Sequence, residues 1–225
     1  MNCAFATILF ITTGCEKSNE KPIIEVPSAK VGMIGYGSLL SREAVEETLG
    51  RTYTDSIYTV HVSGYERAWN FAGSTNDPKL PEELLKLDSF YVQGNDTIPF
   101  DNIVFLNIEP KPESKINAVL YFLTPKELEK FDTMELGYER IDVTDSIVEY
   151  TINGGKVYAY KAMPEYTLNG IGKGKKNIID QLYYDLVLNA NKGNGAEFRK
   201  EFEASTLPPD TILVAPVRYK EQVEQ

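Results

Sequence analysis

Apolar and polar positions along this chain fall into short alternating runs and a few stretches of helical period, separated by turn residues. Residues 31–37, VGMIGYG, read as a buried strand that ends in two glycines around a tyrosine. SREAVEETLG follows with helical spacing: Ser41 is placed as N-cap, acidic residues fill the first turns, and Gly50 stops the helix. DSIYTVHVSGYERAWNF alternates like a long strand, with Tyr65, Arg67 and Trp69 on one face and Glu66, Ala68 and Asn70 on the other. Trp69 is assigned to the core. Arg67 is assigned to the strand surface, with a carboxylate partner as its alternative. Clusters of Gly, Asn, Asp and Pro around PEELLKLDSFYV make residues 73–100 an insertion or irregular region.

The middle of the chain gives clearer signals. IVFLNIEP and INAVLYFLT read as two strands joined hairpin-fashion across KPESK. TPKELEKFDTME reads as a helix capped by Thr124, with Pro125 at its first position and Glu127 closing a capping box. YERIDVTDSIVEYTING and GKVYAYKA are two further strands joined across Asn153-Gly154-Gly155. A longer helix at about 175–191 and a short one near AEFRKEFEAS complete the tail. The pattern predicts a single α+β domain over 31–225, with a mostly antiparallel sheet curled into a small barrel and helices flanking it.

Composition narrows the classes of function. The 225 residues carry a net charge of −10, and the sole basic cluster is GKGKK at 172–176, which argues against nucleic acid as a partner. NGIGKGKKN resembles a phosphate loop but lacks a glycine five residues before Gly174, and Lys176 replaces the magnesium-holding Ser or Thr. Nucleotide binding is rejected. The two cysteines, Cys3 and Cys15, lie in MNCAFATILFITTGC, whose apolar run suits a signal peptide and is too short to span a bilayer stably. The Thr-Thr-Gly-Cys ending resembles a bacterial lipoprotein signal, which predicts removal of residues 1–14 and lipid on Cys15, with a plain secretory signal as the alternative. EKSNEKPIIEVPSAK, residues 16–30, then reads as a tether to the cell envelope, and the membrane is a partner through lipid alone.

Such a mature chain keeps one imidazole, His61, and no free thiol. A structural zinc site and Cys–His catalysis are therefore excluded, and His61 on an alternating strand reads as a satisfied polar residue. Chemistry has to come from carboxylates, hydroxyls and backbone groups. On the helix at 125–135, Leu128, Phe131 and Glu135 share one stripe at i, i+3 and i+7, so Glu135 points along the apolar face. Burial there raises a carboxyl pKa toward values useful for proton transfer. Asp132 lies near the same stripe and is the competitor, and the bland assignment is that Glu135 ends its helix at the surface or pairs with Arg140.

GYGSLL, the SGYERAWNF strand and NAVLYFLTPKELEKFDTMELGYERIDV, in that order over about residues 31–162, resemble the gamma-glutamylcyclotransferase-like family. The resemblance places Phe131-Asp132 at the family's Leu-Asp-like pair and the catalytic glutamate at Glu135. It implies that Tyr36, Gly37, Ser38 and Leu39 hold a γ-glutamyl moiety, mainly through its α-carboxylate; backbone N–H groups leading into a helix suit an anion. In that family the substrate's own α-amino group attacks its γ-glutamyl carbonyl and releases 5-oxoproline and an amine. No cofactor or metal is needed, and the partner is a small γ-glutamyl compound. Tyr166 and Lys173, near the loop at 164–176, are further candidates to line the pocket. The rival from another class is a non-catalytic envelope lipoprotein that binds a glutamyl-like ligand.

Overall fold

A computed structural model describes residues 20–209 and 211–221. The signal segment and Cys15 lie outside the described residues. The strands are β1 (Ile23–Glu25), β2 (Val31–Gly35), β3 (Tyr58–Ser74), β4 (Leu87–Gln93), β5 (Asp96–Pro99), β6 (Asn102–Leu123), β7 (Tyr138–Asp142), β8 (Thr151–Asn153), β9 (Val157–Ala162), β10 (Asn177–Asp180), β11 (Thr206–Leu207), β12 (Leu213–Ala215) and β13 (Val217–Glu221). The helices are α1 (Arg42–Leu49), α2 (Glu82–Leu85), α3 (Pro125–Met134), α4 (Gln181–Gly193) and α5 (Ala196–Ala204).

The fold is mixed α+β. Its main sheet runs β11-β3-β6-β2-β9-β7, with β10 and β12 joined along the start of β6. The sheet is curled but open: the described residues show no pairing between its end strands, β11 and β7. Single bridges from Val62 to Ile147 and from Phe71 to Thr167 bring β3 toward the far side without closing a barrel. The long β3–β6, β2–β6 and β7–β9 pairs are antiparallel, whereas β2–β9, β10–β6, β10–β12 and β11–β3 are parallel.

KPESK is not a hairpin. The two apolar runs around it are halves of one strand, β6, that pairs antiparallel with β3 on both sides of the segment. The register jumps from Ser63 opposite Lys115 to Tyr65 opposite Pro110, so the intervening residues bulge against Gly64, which sits at φ 85°. Two prolines in that stretch remove ladder donors without reversing the chain. A second irregularity, at Asn70, lets Trp69 face Leu106 while Phe71 faces Phe105. Because adjacent β6 residues point to opposite faces, this bulge turns Phe71 away from the face of Trp69. Trp69 is core, against Tyr183 and Tyr184.

Other expectations shift in instructive ways. β8 and β9 do not pair across residues 153–155; β8 pairs in parallel with β1, and β9 takes β7 as its antiparallel neighbour. Part of the segment read as tether is thus a strand, with Ile24 and Val26 buried. Residues 73–100 are ordered into the end of β3, α2 and the β4–β5 pair, and β13 completes a separate three-stranded sheet with them. α4 starts at Gln181, capped by the Asp180 side chain on the Leu182 N–H, because residues 177–180 are taken up as β10. Ser41 and Gly50 cap α1 as the sequence indicates. The Thr124–Glu127 box closes reciprocally at the start of α3, a device worth about 1 kcal/mol.

Candidate active site

β2 ends at Gly35 and the chain folds straight back into a 3-10 turn over Ser38–Leu40. A Cβ on Gly35 would lie 2.1 Å from the Leu39 carbonyl oxygen, so only glycine permits this close return. Gly37 meets a side chain instead, with the Tyr183 hydroxyl 3.2 Å from where its Cβ would be. Tyr36 is buried, and its hydroxyl donates to the Tyr160 carbonyl at 2.7 Å, which anchors the loop to β9.

Glu135 caps the C-terminus of α3, with its N–H bonded to the Phe131 carbonyl at 2.8 Å. Leu128 and Phe131 on the same stripe are buried, so the helix is fixed and Glu135 is aimed inward. A narrow cavity of about 310 Å³, counted out to its mouth, is lined by Tyr36, Gly37, Ser38, Leu39 and Glu135 together. The Glu135 carboxyl has no hydrogen bond or ion pair among the described residues. Desolvation raises its pKa from 4.5 to about 7.

Glu135 does end its helix, half-buried rather than at the open surface, and it does not pair with Arg140. Arg140 pairs with Asp132, at 3.0 Å from Nε to Oδ1, and Asp132 also accepts the Tyr160 hydroxyl at 2.7 Å. The competitor carboxylate is therefore committed to two partners, and its helical neighbour is left without one. Asp132 is absent from the cavity lining.

Three tyrosines missed at the level of sequence complete the enclosure: Tyr138 on β7, Tyr160 on β9 and Tyr183 on α4. The Tyr138 hydroxyl donates to the Leu106 carbonyl at 2.8 Å, and that of Tyr183 lies beside Ser38 and the Leu106 backbone. Burial raises the pKa of each, and of Tyr36, above the ordinary phenol value; the Glu135 charge adds to the rise. All four stay neutral around the carboxyl. Tyr138 stands in the quoted GYERIDV stretch, and strand alternation offered a signal for it and for Tyr160. Tyr183 reaches the loop from the opposite end of the chain, and no local pattern announced it.

Arg67 is neither a surface charge nor a carboxylate partner. It is wholly buried and donates to Thr206 Oγ1 at 2.8 Å and Asn117 Oδ1 at 3.0 Å, with its guanidinium 4.0 Å from the Phe202 ring centre. Burial lowers its pKa to about 9, which still leaves it charged at neutral pH. It clamps α5 to the sheet. His61 bridges Glu149 and Glu201, the second at 3.1 Å from Nε2, and is a satisfied structural residue as expected. Lys173 is exposed and lines neither the Glu135 cavity nor a second, neighbouring one, whereas Tyr166 lines the second. The described residues contain no cluster of three or more His, Cys, Asp and Glu side chains able to hold a metal, and no helix long and apolar enough to cross a membrane.

No family model matches the chain, and no curated protein does. Solved structures do match. A protein described as a gamma-glutamyl cyclotransferase is 13% identical, with 83% of this chain and 94% of the other covered, at a TM-score of 0.50. An uncharacterized Homo sapiens protein is 15% identical over 88% and 95% of the two chains, at a TM-score of 0.43. A yeast gamma-glutamyl cyclotransferase specific to glutathione is 10% identical over 79% and 87%, at a TM-score of 0.38. The first match gives this chain a gamma-glutamylcyclotransferase-like fold, so the resemblance read from the sequence holds at the level of fold.

Proposed function

We propose that this protein is an enzyme of the gamma-glutamyl cyclotransferase type, converting a γ-glutamyl amide into 5-oxoproline and a free amine. The observation that carries the reading is the Glu135 carboxyl: unpaired, with a pKa near 7, and lining one cavity with Tyr36–Leu39. A base poised near the working pH is half ionised, which suits one group to both take and return a proton.

In the proposed reaction the substrate's α-ammonium gives a proton to Glu135, and the freed amine attacks the γ-carbonyl carbon. A five-membered ring closes as the new C–N bond forms. Glu135 then returns its proton to the amide nitrogen and the old C–N bond breaks; the second proton of the ring nitrogen passes by way of the same carboxylate to the departing amine, which leaves as an ammonium ion. Water is neither consumed nor produced, and the nucleophile belongs to the substrate. The cavity's task is to fold the glutamyl chain into an attack geometry, which supplies a large share of the barrier reduction. Tyr36–Leu39 hold the glutamyl end in this scheme, with the Tyr183 hydroxyl sharing Ser38 with the incoming carboxylate.

The test is 5-oxoproline release by the purified protein over a panel of γ-glutamyl amides, beside Glu135→Gln. Release that falls at least a hundredfold in the variant supports both reaction and residue. Release unaffected by the substitution refutes the role of Glu135, and no release from any member favours the binding protein. We also propose attachment to the bacterial cell envelope through lipid on Cys15. Cys15→Ala is expected to move the protein from the membrane to the soluble fraction.

A further inference from the structure

A second cavity adjoins the first. It is larger, about 850 Å³ counted to its mouth, and its floor is aromatic: Phe71, Phe105 and Tyr166. Met134 and Leu136, the neighbours of Glu135 in sequence, form its near rim, so the chain at the end of α3 turns Glu135 into one cavity and both flanking side chains into the other. Tyr138 is the wall between them. It lines the Glu135 cavity and stacks on Phe71 at 4.2 Å, with the rings 2° from parallel.

Internal packing does not account for the exposed apolar surface here. Met134 is 70% exposed, Tyr219 on the far rim 52% and Leu136 38%. Apolar side chains gathered at the mouth of a groove mark a place where something apolar binds. Among the lining residues the single charged group is Asp77, a carboxylate. Lys79, outside the lining, is held on the Tyr166 hydroxyl at 2.8 Å.

We infer that this groove is the leaving-group subsite, and that the favoured substrates are γ-glutamyl amides of bulky apolar, especially aromatic, amines. The inference rests on the cyclotransferase reading of the Glu135 cavity. With the glutamyl end beside Tyr36–Leu39 and the scissile nitrogen at Glu135, the amine's substituent passes over the Met134–Leu136 rim onto the Phe71 and Phe105 rings. Apolar contact of this size is worth at least tenfold in kcat/KM between a substituent that reaches the rings and one that does not.

The experiment compares γ-glutamyl phenethylamide with γ-glutamyl methylamide, in the wild type and in Leu136→Ser, whose exposed position makes it safe for folding. The expected result is a kcat/KM at least tenfold higher for the phenethylamide, with that ratio falling severalfold in the variant. Equal values for the two amides, or a ratio unmoved by the substitution, would overturn the inference and leave the cyclotransferase reading standing. If neither amide releases 5-oxoproline, the parent reading has failed and binding decides the groove alone. Phenethylamine is then titrated and followed by its NMR line broadening. Broadening by the wild type that is lost in Leu136→Ser supports an apolar amine site, and its absence in the wild type refutes one.

Discussion

Replacing Glu135 by glutamine keeps the size of the side chain and removes its charge. In the unfolded chain the carboxyl titrates near 4.5, and in the fold near 7. The folded state therefore binds the proton more tightly, and ionising Glu135 costs stability. Below pH 4.5 the group is protonated in both states and costs nothing. The penalty grows as pH rises from 4.5 and is complete above 7. At 1.36 kcal/mol per pH unit the full interval amounts to about 3 kcal/mol, discounted to about 2–3 kcal/mol because Glu135 retains some exposure. Urea unfolding of wild type and Glu135→Gln at pH 4.5 and at pH 8.5 measures it. The two proteins are expected to agree within about 0.5 kcal/mol at the lower pH, with glutamine the more stable by about 2–3 kcal/mol at the higher. The same substitution is expected to lower 5-oxoproline release at least a hundredfold, and the wild-type rate is expected to rise with pH through a limb near 7 that the variant lacks. A variant no more stable than wild type at pH 8.5 would mean that the carboxylate has a partner or full hydration, and the argument for Glu135 as a poised base would fall.

The other predictions probe the surroundings of that carboxyl. Asp132→Asn loses an ion pair to Arg140 that is partly exposed and keeps an acceptor for Tyr160, so stability is expected to change by less than about 1 kcal/mol and kcat by less than about threefold. Gly35→Ala forces the Leu39 carbonyl away from β2; a loss of about 3 kcal/mol in urea unfolding and of most turnover is expected. Gly137→Ala places a Cβ at φ 84° within 2.7 Å of the Tyr166 ring and 2.9 Å of Phe71, with an expected cost of about 2 kcal/mol read as a lower Tm. Arg67→Ala leaves Asn117 and Thr206 without their buried donor, and a loss of about 3 kcal/mol is expected in the same assay.

Local chemistry was the part of this molecule that could be read from its sequence. Ser41, Gly50, Thr124 and Glu127 act on neighbours a few residues away, and all cap helices where the pattern placed them. The helical stripe from Leu128 to Glu135 is likewise local, and it turns Glu135 inward. What could not be read depends on the choice among distant partners. Arg140 is near Asp132 and Glu135 in sequence, and only the tertiary fold selects Asp132. The KPESK segment carries turn residues, yet β3 offers a continuous partner on both sides of it, so the strand bulges and runs on. Arg67 reads as a surface charge because α5, which buries it, lies about 130 residues later in the chain. The bulge at Asn70 adds no composition signal at all, although it decides which cavity Phe71 serves.

That bulge has a consequence for how such a protein changes over time. The Tyr138 ring and the Phe71 ring are stacked face to face, so the partition between the two cavities is two aromatic rings thick. A substitution that reshapes the groove on one side displaces the ring that borders Glu135 on the other. On the proposed reading, substrate preference and catalytic competence are inherited as a single trait. Adjustment to a new leaving group falls, on the same reading, to Tyr219, a lining residue that is 52% exposed and outside the Tyr138–Phe71 stack.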